Sequence, residues 1–590
     1  MMRLLLGSAV LLAVLGGRGQ AENPPPPPPT PWRGAVLPSQ WQRGIPPSAA
    51  IAVPQPITRD VKVEPVSLKD AIALALENNP GIAAQRLEPT RQVEGILQAQ
   101  AEFDPTLAGE LTYGRAETPN ASVLAGSITS VVEDRSANLH LLKLFRSGTQ
   151  VTLDSLNDRL DVNSSFNTLR PQYRTGLNFS LVQPLLRNFG WDFTYLVVRI
   201  AEQTADAAVY QYTANLANFV ELVIEAYWNV VGARENVEVE RESKGLADRT
   251  VEENESRVRV GLLPPVAVLE AQADAKSRES DLIAAENVLA VARQNLAQLV
   301  FYRPDGTFVP RTLEPNEAAA PEDLTVDVDE TLATALAERP EIEASARGIT
   351  VQQLNEKING NALLPRLDVV GSYGVNGLSG VNRPAFFGAT PTFSLTPISG
   401  ARCTSLAPNQ GYLCNVATPT PVSPFAGSVS NAYDRLTSGD FSTYSFGLQL
   451  QMPLSNALAR SQYAESTIAR SQAELNHRQL LSQVTLEVRQ SVADLSSSRQ
   501  RIDTTRVARE LAEENLRNQE KRHDVGMATT KDLLDFQTRL TTARAAEVQA
   551  KIDCMIAVAR WRRAQGELLQ HYQIVLDRPG RRGVPWFARF

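Results

Sequence analysis

Residues 475–495 read LNHRQLLSQVTLEVRQSVADL, and the apolar side chains Leu481, Val484, Val488, Val492 and Leu495 recur at steps of three and four, with Leu475 leading in. That rhythm is a coiled-coil seam, in which a helix turns one apolar stripe toward a neighbour. An earlier segment repeats it, since Leu216, Val220, Val223, Tyr227 and Val230 step by four, three, four and three. Both segments lie in long stretches without proline. Of 37 prolines in the chain, none falls between Pro184 and Pro264 or between Pro453 and Pro579, as expected where every backbone N–H serves continuous helix. At 1.5 Å per residue, about 65 to 70 helical residues before Gly261 or Gly526 reach roughly 100 Å, taller than any compact domain. The pattern breaks at Val260-Gly261-Leu262-Leu263-Pro264 and at Val525-Gly526-Met527-Ala528-Thr529, then resumes at Leu269 and Leu533. Each run is therefore expected to fold back as an antiparallel hairpin, with both tips at one end of the molecule.

The chain is written twice. Leu76, Pro80, Ile82 and Ala84 recur as Leu336, Pro340, Ile342 and Ala344, and Pro105, Leu107, Tyr113 and Gly114 recur as Pro365, Leu367, Tyr373 and Gly374 at the same offset. The blocks Leu177-x-Phe179-x-Leu181 with Pro184-Leu185, and Val260-Gly261 with Leu269 and Gln272, return as Phe446-x-Leu448-x-Leu450 with Pro453-Leu454, and Val525-Gly526 with Leu534 and Gln537. Their offsets drift by a few residues, as loop insertions between two copies of one structural unit require. Each copy opens on a helix, with Ser67 or Asp329 placed as an N-cap, passes through two strands of alternating pattern and ends in the long hairpin. The expected organisation is a signal peptide at 1–21, a Pro-rich extension at 22–65, repeats at 66–320 and 321–572, and a tail at 573–590.

Composition narrows the function. Apolar residues make up 43% of the 590 and charged residues 21%, enough for a large core. The net charge of −7 becomes more negative once Arg3 and Arg18 leave with the leader, which argues against a phosphate-backbone partner such as nucleic acid. Four scattered histidines and three cysteines give no metal-ligand spacing, and no phosphate loop or nucleophile–base pair is evident, so no metal, cofactor or catalytic residue is expected and the chain is not read as an enzyme. Arg3, the apolar run Leu4 to Leu15 and the small-residue site ending at Ala21 form a secretory leader. Cys403 and Cys414 sit in a Gly/Pro/Ser/Thr-rich stretch, where an oxidising compartment suggests a local disulfide, while Cys554 reads as a small buried hydrophobe.

Two strands per copy make four per chain. Four strands with open edges cannot sit in hydrocarbon, where each unpaired backbone group costs several kcal/mol, so closure has to come from other subunits. Three copies would supply twelve strands, an even number suited to a water-filled barrel. The fold class expected from these parts is mixed, mainly α: a tandem duplication with four strands per chain, twelve in a trimeric β-barrel, and long coiled-coil helical hairpins. Segment 375–440 would form an external loop, and segment 136–160 could add a hairpin to the first copy.

Gln183-Pro184-Leu185-Leu186, the paired Val-Gly tips, the run Gly526-x5-Asp532-Leu533-Leu534-Asp535 and the duplicated order of helix, strand pair and long hairpin together resemble the TolC-like outer-membrane efflux proteins over about residues 66–570. The resemblance implies a homotrimeric exit duct of a Gram-negative bacterium: a trimeric outer-membrane β-barrel in contact with outer-membrane lipid, continued by a long periplasmic α-helical coiled-coil barrel. It implies that the tips Val260, Gly261, Leu262, Val525, Gly526 and Met527 dock on a periplasmic adaptor protein, itself joined to an inner-membrane pump or ABC transporter. It also implies that Asp532 and Asp535 form acidic rings at a closed, cation-favouring entrance. The first copy offers Ala267 and Glu270 at those places, so only Glu270 is acidic there, and Ala528 stands where the family often carries a gating arginine.

A different class remains open at this point. A periplasmic coiled-coil scaffold that conducts nothing would use the same helices, but would not need duplicated alternating strands. The sequence does not choose among drugs, metal ions and proteins as cargo.

Overall fold

Residues 63–121, 127–164, 166–300, 312–320, 324, 326–383, 389–397, 399, 402–406, 408, 410–417 and 422–576 are described by the computed structural model. The leader, nearly all of the Pro-rich extension and most of the tail lie outside the described residues. The first repeat runs β1 (Val63–Val66), α1 (Leu68–Asn78), α2 (Pro80–Ala101), β2 (Thr106–Pro119), β3 (Thr129–Leu144), β4 (Gln150–Val162), β5 (Leu169–Pro184), α3 (Trp191–Thr194), α4 (Leu196–Arg259) and α5 (Val266–Val300). The second, taken to open at β6 because that strand is the partner of β1 and so ahead of the boundary expected at 321, runs β6 (Thr312–Pro315), α6 (Val328–Glu338), α7 (Pro340–Asn361), β7 (Arg366–Asn382), β8 (Ala389–Ser394), β9 (Arg402–Ser405), β10 (Tyr412–Ala417), α8 (Val429–Ser438), β11 (Ser442–Gln451), α9 (Ala457–Asp524), α10 (Thr530–Gln565) and α11 (Leu568–His571).

The long helices α4 and α9 have 64 and 68 residues, so each is about 100 Å long. Ser67 caps α1 by accepting from the Asp70 N–H, but the matching cap of α6 is Asp327, which accepts from the Glu330 N–H; Asp329 lies in the first turn instead. The strand β1 pairs in parallel with β6, Val63 opposite Thr312. Around this join lies the main core, where Leu216, Val220, Val223, Tyr227, Val230 and Val231 of α4 meet Leu296 of α5, Ile552 and Ile556 of α10, and Ile72 of α1. Cys554 is fully buried beside Leu495 and Val558.

The large sheet corrects the strand count. It has six strands, ordered β11-β7-β5-β4-β3-β2, not four, because β3 and β4 form an additional hairpin within the first repeat. Its pairings are all antiparallel. Register follows the alternation. Leu107, Leu141, Leu153, Phe179, Tyr373 and Tyr444 stand in one cross-strand row, and the adjacent row, on the opposite face, is Ala108, His140, Asp154, Asn178, Gly374 and Thr443. One face is thus apolar and the other polar, with His140 Nδ1 and Asp154 Oδ1 2.8 Å apart across strands. Beyond the apolar band, α8 lies against β5 and β7: Thr175 Oγ1 donates to the Ala432 carbonyl at 3.3 Å and Tyr433 Oη to Asn157 Oδ1 at 2.7 Å. Gly377 permits this approach, since a Cβ there would collide with the Ala432 carbonyl oxygen. At the same end of the strands, β8, β10 and β9 form a small sheet in which Cys403 and Cys414 are joined by a disulfide.

Candidate functional site

The two helical reversals have one geometry. Gly261 and Gly526 take φ of 78° and 76°, the left-handed conformation that suits glycine. In each, the glycine N–H donates back to the residue three before it (Val258 and His523, 2.9 and 3.0 Å), and the next N–H donates five back (Arg257 and Arg522, both 2.8 Å). This doubly bonded Schellman stop satisfies carbonyls that the helix end would leave open. It pushes Val260, Leu262, Val525 and Met527 outward, each with 68–75% of its surface in solvent.

The return helices start differently. Pro264 and Pro265 precede α5, whereas α10 begins in a capping box: Thr529 Oγ1 accepts from the Asp532 N–H at 3.2 Å, and Asp532 Oδ2 accepts from the Thr529 N–H and hydroxyl at 3.1 and 2.7 Å. The Thr529 hydroxyl, then its N–H, hold the Asp532 carboxyl below the usual carboxylate range. Asp532 is therefore occupied locally, whereas Asp535, one turn on, and Glu270 on α5 are exposed. Ala267, at the position matching Asp532, is buried.

The tips of the two hairpins touch. Arg257 Nη2 donates to Asp524 Oδ1 at 2.8 Å, and its Nη1 donates to Nδ1 and to the carbonyl of His523 at 3.2 and 3.4 Å. An arginine can only donate, so Nδ1 of His523 must be the acceptor and the ring is neutral there. Burial, then the Arg257 charge, push the His523 pKa below its ordinary value. Upward from the tip the contact stays polar. Asn254 Nδ2 donates to the Ala267 carbonyl and Thr530 Oγ1, Gln537 Nε2 to Thr250 Oγ1, and Thr541 Oγ1 to Ser243 Oγ at 3.0 Å. Asn254 Oδ1 is buried without a donor among the described residues. Farther up, the same pair of helices meets through Val223, Tyr227, Val230 and Val231 against Ile552 and Ile556.

This gradient has an energetic meaning. Neutral hydrogen bonds contribute only about 1 kcal/mol net, because opened groups regain water, whereas burying each large aliphatic side chain contributes roughly 1.5 to 3 kcal/mol. The α4–α10 contact is thus firm above and easily parted near the tips. None of these seam residues stands among the tip and carboxylate residues that the sequence pattern singles out. A signal for them exists: Ser243, Ala247, Thr250, Asn254 and Arg257 continue the three-and-four spacing of the apolar seam with polar and small residues.

Among the described residues no group of three or more His, Cys, Asp or Glu is placed to hold a metal, and no helix is long and apolar enough to cross a membrane. The outer membrane efflux protein family pattern matches residues 71–300 and 422–567. Outer membrane protein TolC of Vibrio cholerae is 32% identical over 124 residues, which are 21% of this chain and 27% of that protein, so the match spans about a quarter of the relative. The fold is similar to the CmeC outer membrane channel of Campylobacter jejuni, with a TM-score of 0.55, 16% identity and coverage of 85% of this chain and 86% of that one. It is similar also to the MtrE outer membrane channel of Neisseria gonorrhoeae in its open state, with a TM-score of 0.55, 16% identity and coverage of 88% and 96%. With both repeats matched over more than half of its length, the chain belongs to the TolC-like outer membrane efflux protein family.

Proposed function

We propose that three copies of this chain form a passive exit duct through the outer membrane and periplasm, closed at rest by the helical tips and served by an adaptor and an inner-membrane pump. One observation carries the reading: a sheet with an apolar band across one face and, among the described residues, two unpaired edges stands on helices about 100 Å long. It weighs against a non-conducting scaffold, which has no use for a sheet built to face lipid on one side. The exposed apolar tips at Val260, Leu262, Val525 and Met527 are the surface proposed to meet the adaptor.

Threefold symmetry would gather Asp535, Asp532 and Glu270 into acidic rings at the narrow end. Planar-bilayer recording of wild type beside Asp532→Asn/Asp535→Asn tests this. The expected wild-type current is small and cation-preferring; in the variant it grows and loses that preference. Silence from both folded proteins would defeat the duct, and an unchanged preference would defeat the rings. Because Asp532 also caps α10, Asp535→Asn alone should change selectivity with the tip fold undisturbed.

A pH dependence follows from His523. Its pKa in the closed tip lies below the ordinary 6.5, so the parted, solvated arrangement binds the proton more readily. Closure is then fully stabilised above about pH 6.5 and weakens as pH falls through that value toward the lower closed-state pKa. Protonation would also end the Nδ1 acceptor role and set a cation against Arg257, with Asp524 and Glu253 nearby to offset part of it. Open probability is expected to rise between pH 7.5 and 5, and His523→Gln to flatten the rise. Equal profiles for the two proteins would remove His523 from the gate.

A further inference from the structure

The hairpin β3–β4 changes what three copies can build. Each chain brings six strands, and both outer strands of its sheet, β2 and β11, have one unpaired edge among the described residues. The sheet cannot close on itself with water inside, because even eight strands leave an interior just filled by side chains. Nor can β3–β4 stand apart from the wall. They lie between β2 and β5, and they continue both faces: Leu139, Leu141, Val151 and Leu153 on the apolar side, Asn138, His140, Thr152 and Asp154 on the polar side.

The apolar band climbs across the sheet. On β11 it runs from Tyr444 to Leu450 and on β2 from Leu107 to Tyr113, yet Tyr444 and Leu107 share one row. The band therefore rises by about six residues over five strand pairings, roughly 1.2 residues per strand. With about 3.3 Å per residue and 4.8 Å between strands, that stagger tilts the strands by about 40°, within the range of closed barrels. The six strands alternate in direction, so β2 and β11 run opposite ways, and a head-to-tail ring of identical copies stays antiparallel at every joint.

Resting on the threefold duct proposed above, we infer that a second copy of this chain completes each edge, and that six strands from each of three copies close an eighteen-stranded barrel. Keeping the band level across the joint sets the register. Tyr113, Leu111 and Leu107 of β2 face Tyr444, Phe446 and Leu450 in β11 of the next copy. On the inner face the same register sets Thr112 beside Ser445, and Glu110 beside Gly447, which leaves the carboxylate room. Barrel diameter grows about linearly with strand number, so this mouth is roughly one and a half times as wide as a twelve-stranded one and carries water in the manner of porins. Size selection then belongs to the helical tunnel, and the outer section passes hydrophilic cargo of any width that the tunnel admits.

The test is cryo-electron microscopy of the full chain in lipid nanodiscs, paired with oxidative cross-linking of Leu111→Cys/Phe446→Cys. The native cysteines do not compete, since Cys403 and Cys414 are bonded and Cys554 is buried. The expected result is a threefold particle with eighteen wall strands and a ladder of linked dimers and trimers on denaturing gels, absent from either single variant. A conducting threefold particle with twelve wall strands and β3–β4 outside overturns this inference alone, whereas a twofold particle overturns it together with the threefold reading on which it rests. A folded protein that enters no bilayer and forms no link overturns the duct itself.

Discussion

Arg257→Ala should hold the duct open. Arg257 joins the two hairpins through three contacts, and the one to Asp524 is charge-assisted at 2.8 Å. Such a bond is worth about 1.5 to 3 kcal/mol when shielded, but the Asp524 side chain is 64% exposed, which reduces the expected loss to about 1 kcal/mol per copy. If all three seams part together, about 3 kcal/mol shifts the closed-to-open ratio by roughly a hundredfold. Single-channel recording should show long open dwells, and cells should admit large antibiotics that wild type excludes. Arg257→Lys, which keeps the charge but not the fork, should fall between the two. A variant as closed as wild type would mean that the polar seam above, Asn254 to Ser243, holds the tips without Arg257.

Tyr227→Ala should be the most damaging single change in the helical body. The ring is fully buried, packs edge-on against Trp228 at 5.4 Å between centroids, and lies in the cluster that joins both repeats. Truncation leaves a cavity costing about 3 to 5 kcal/mol. Its hydroxyl donates to the Val66 carbonyl at 3.2 Å, and burial, with nearby Glu317, pushes its pKa up to about 12, so it remains a neutral phenol. Tyr227→Phe should nonetheless cost under about 1 kcal/mol, because the Val66 carbonyl also accepts from the Asn316 N–H at 3.1 Å. Thermal melts followed by helical circular dichroism separate the two. Equal losses would show that the hydroxyl, not the ring volume, secures the join.

The long helices, their reversals and the duplication were legible because each rests on a strong local rule: proline exclusion, a three-and-four stripe, and glycine at a left-handed stop. The strand faces were legible where alternation is clean, as at Leu177, Phe179 and Leu181. The strands β3 and β4 were legible only as an optional hairpin at 136–160, left out of the count of four, because their alternation is broken. Leu141 and Leu142 are both apolar, Leu156 sits among inward polar residues, and past the band Asp134, Arg135, Asp158 and Arg159 put charge on both faces. The seam between the tips escaped for a different reason. A search for apolar stripes passes over Thr250, Asn254 and Arg257, although their spacing is that of the stripe above them. Asp327 displaced Asp329 as a cap by two residues, a shift that a cap rule applied without geometry does not resolve.

The parallel join of β1 to β6 reaches beyond the core it organises. Equivalent strands of the two repeats lie side by side and run the same way, Val63 with Thr312, as neighbours related by a turn about one axis would. The proposed tube of three chains would then be quasi-sixfold, with each seam inside a chain answered by one between chains. Matching the reversals at Val260-Gly261 and Val525-Gly526 puts Arg522 where Arg257 stands and Arg259 where Asp524 stands. The bond that joins the tips within a chain would thus be answered by a meeting of two arginines between chains. In that trimer the quasi-symmetry would break at the rim, with three joints that attract and three that repel.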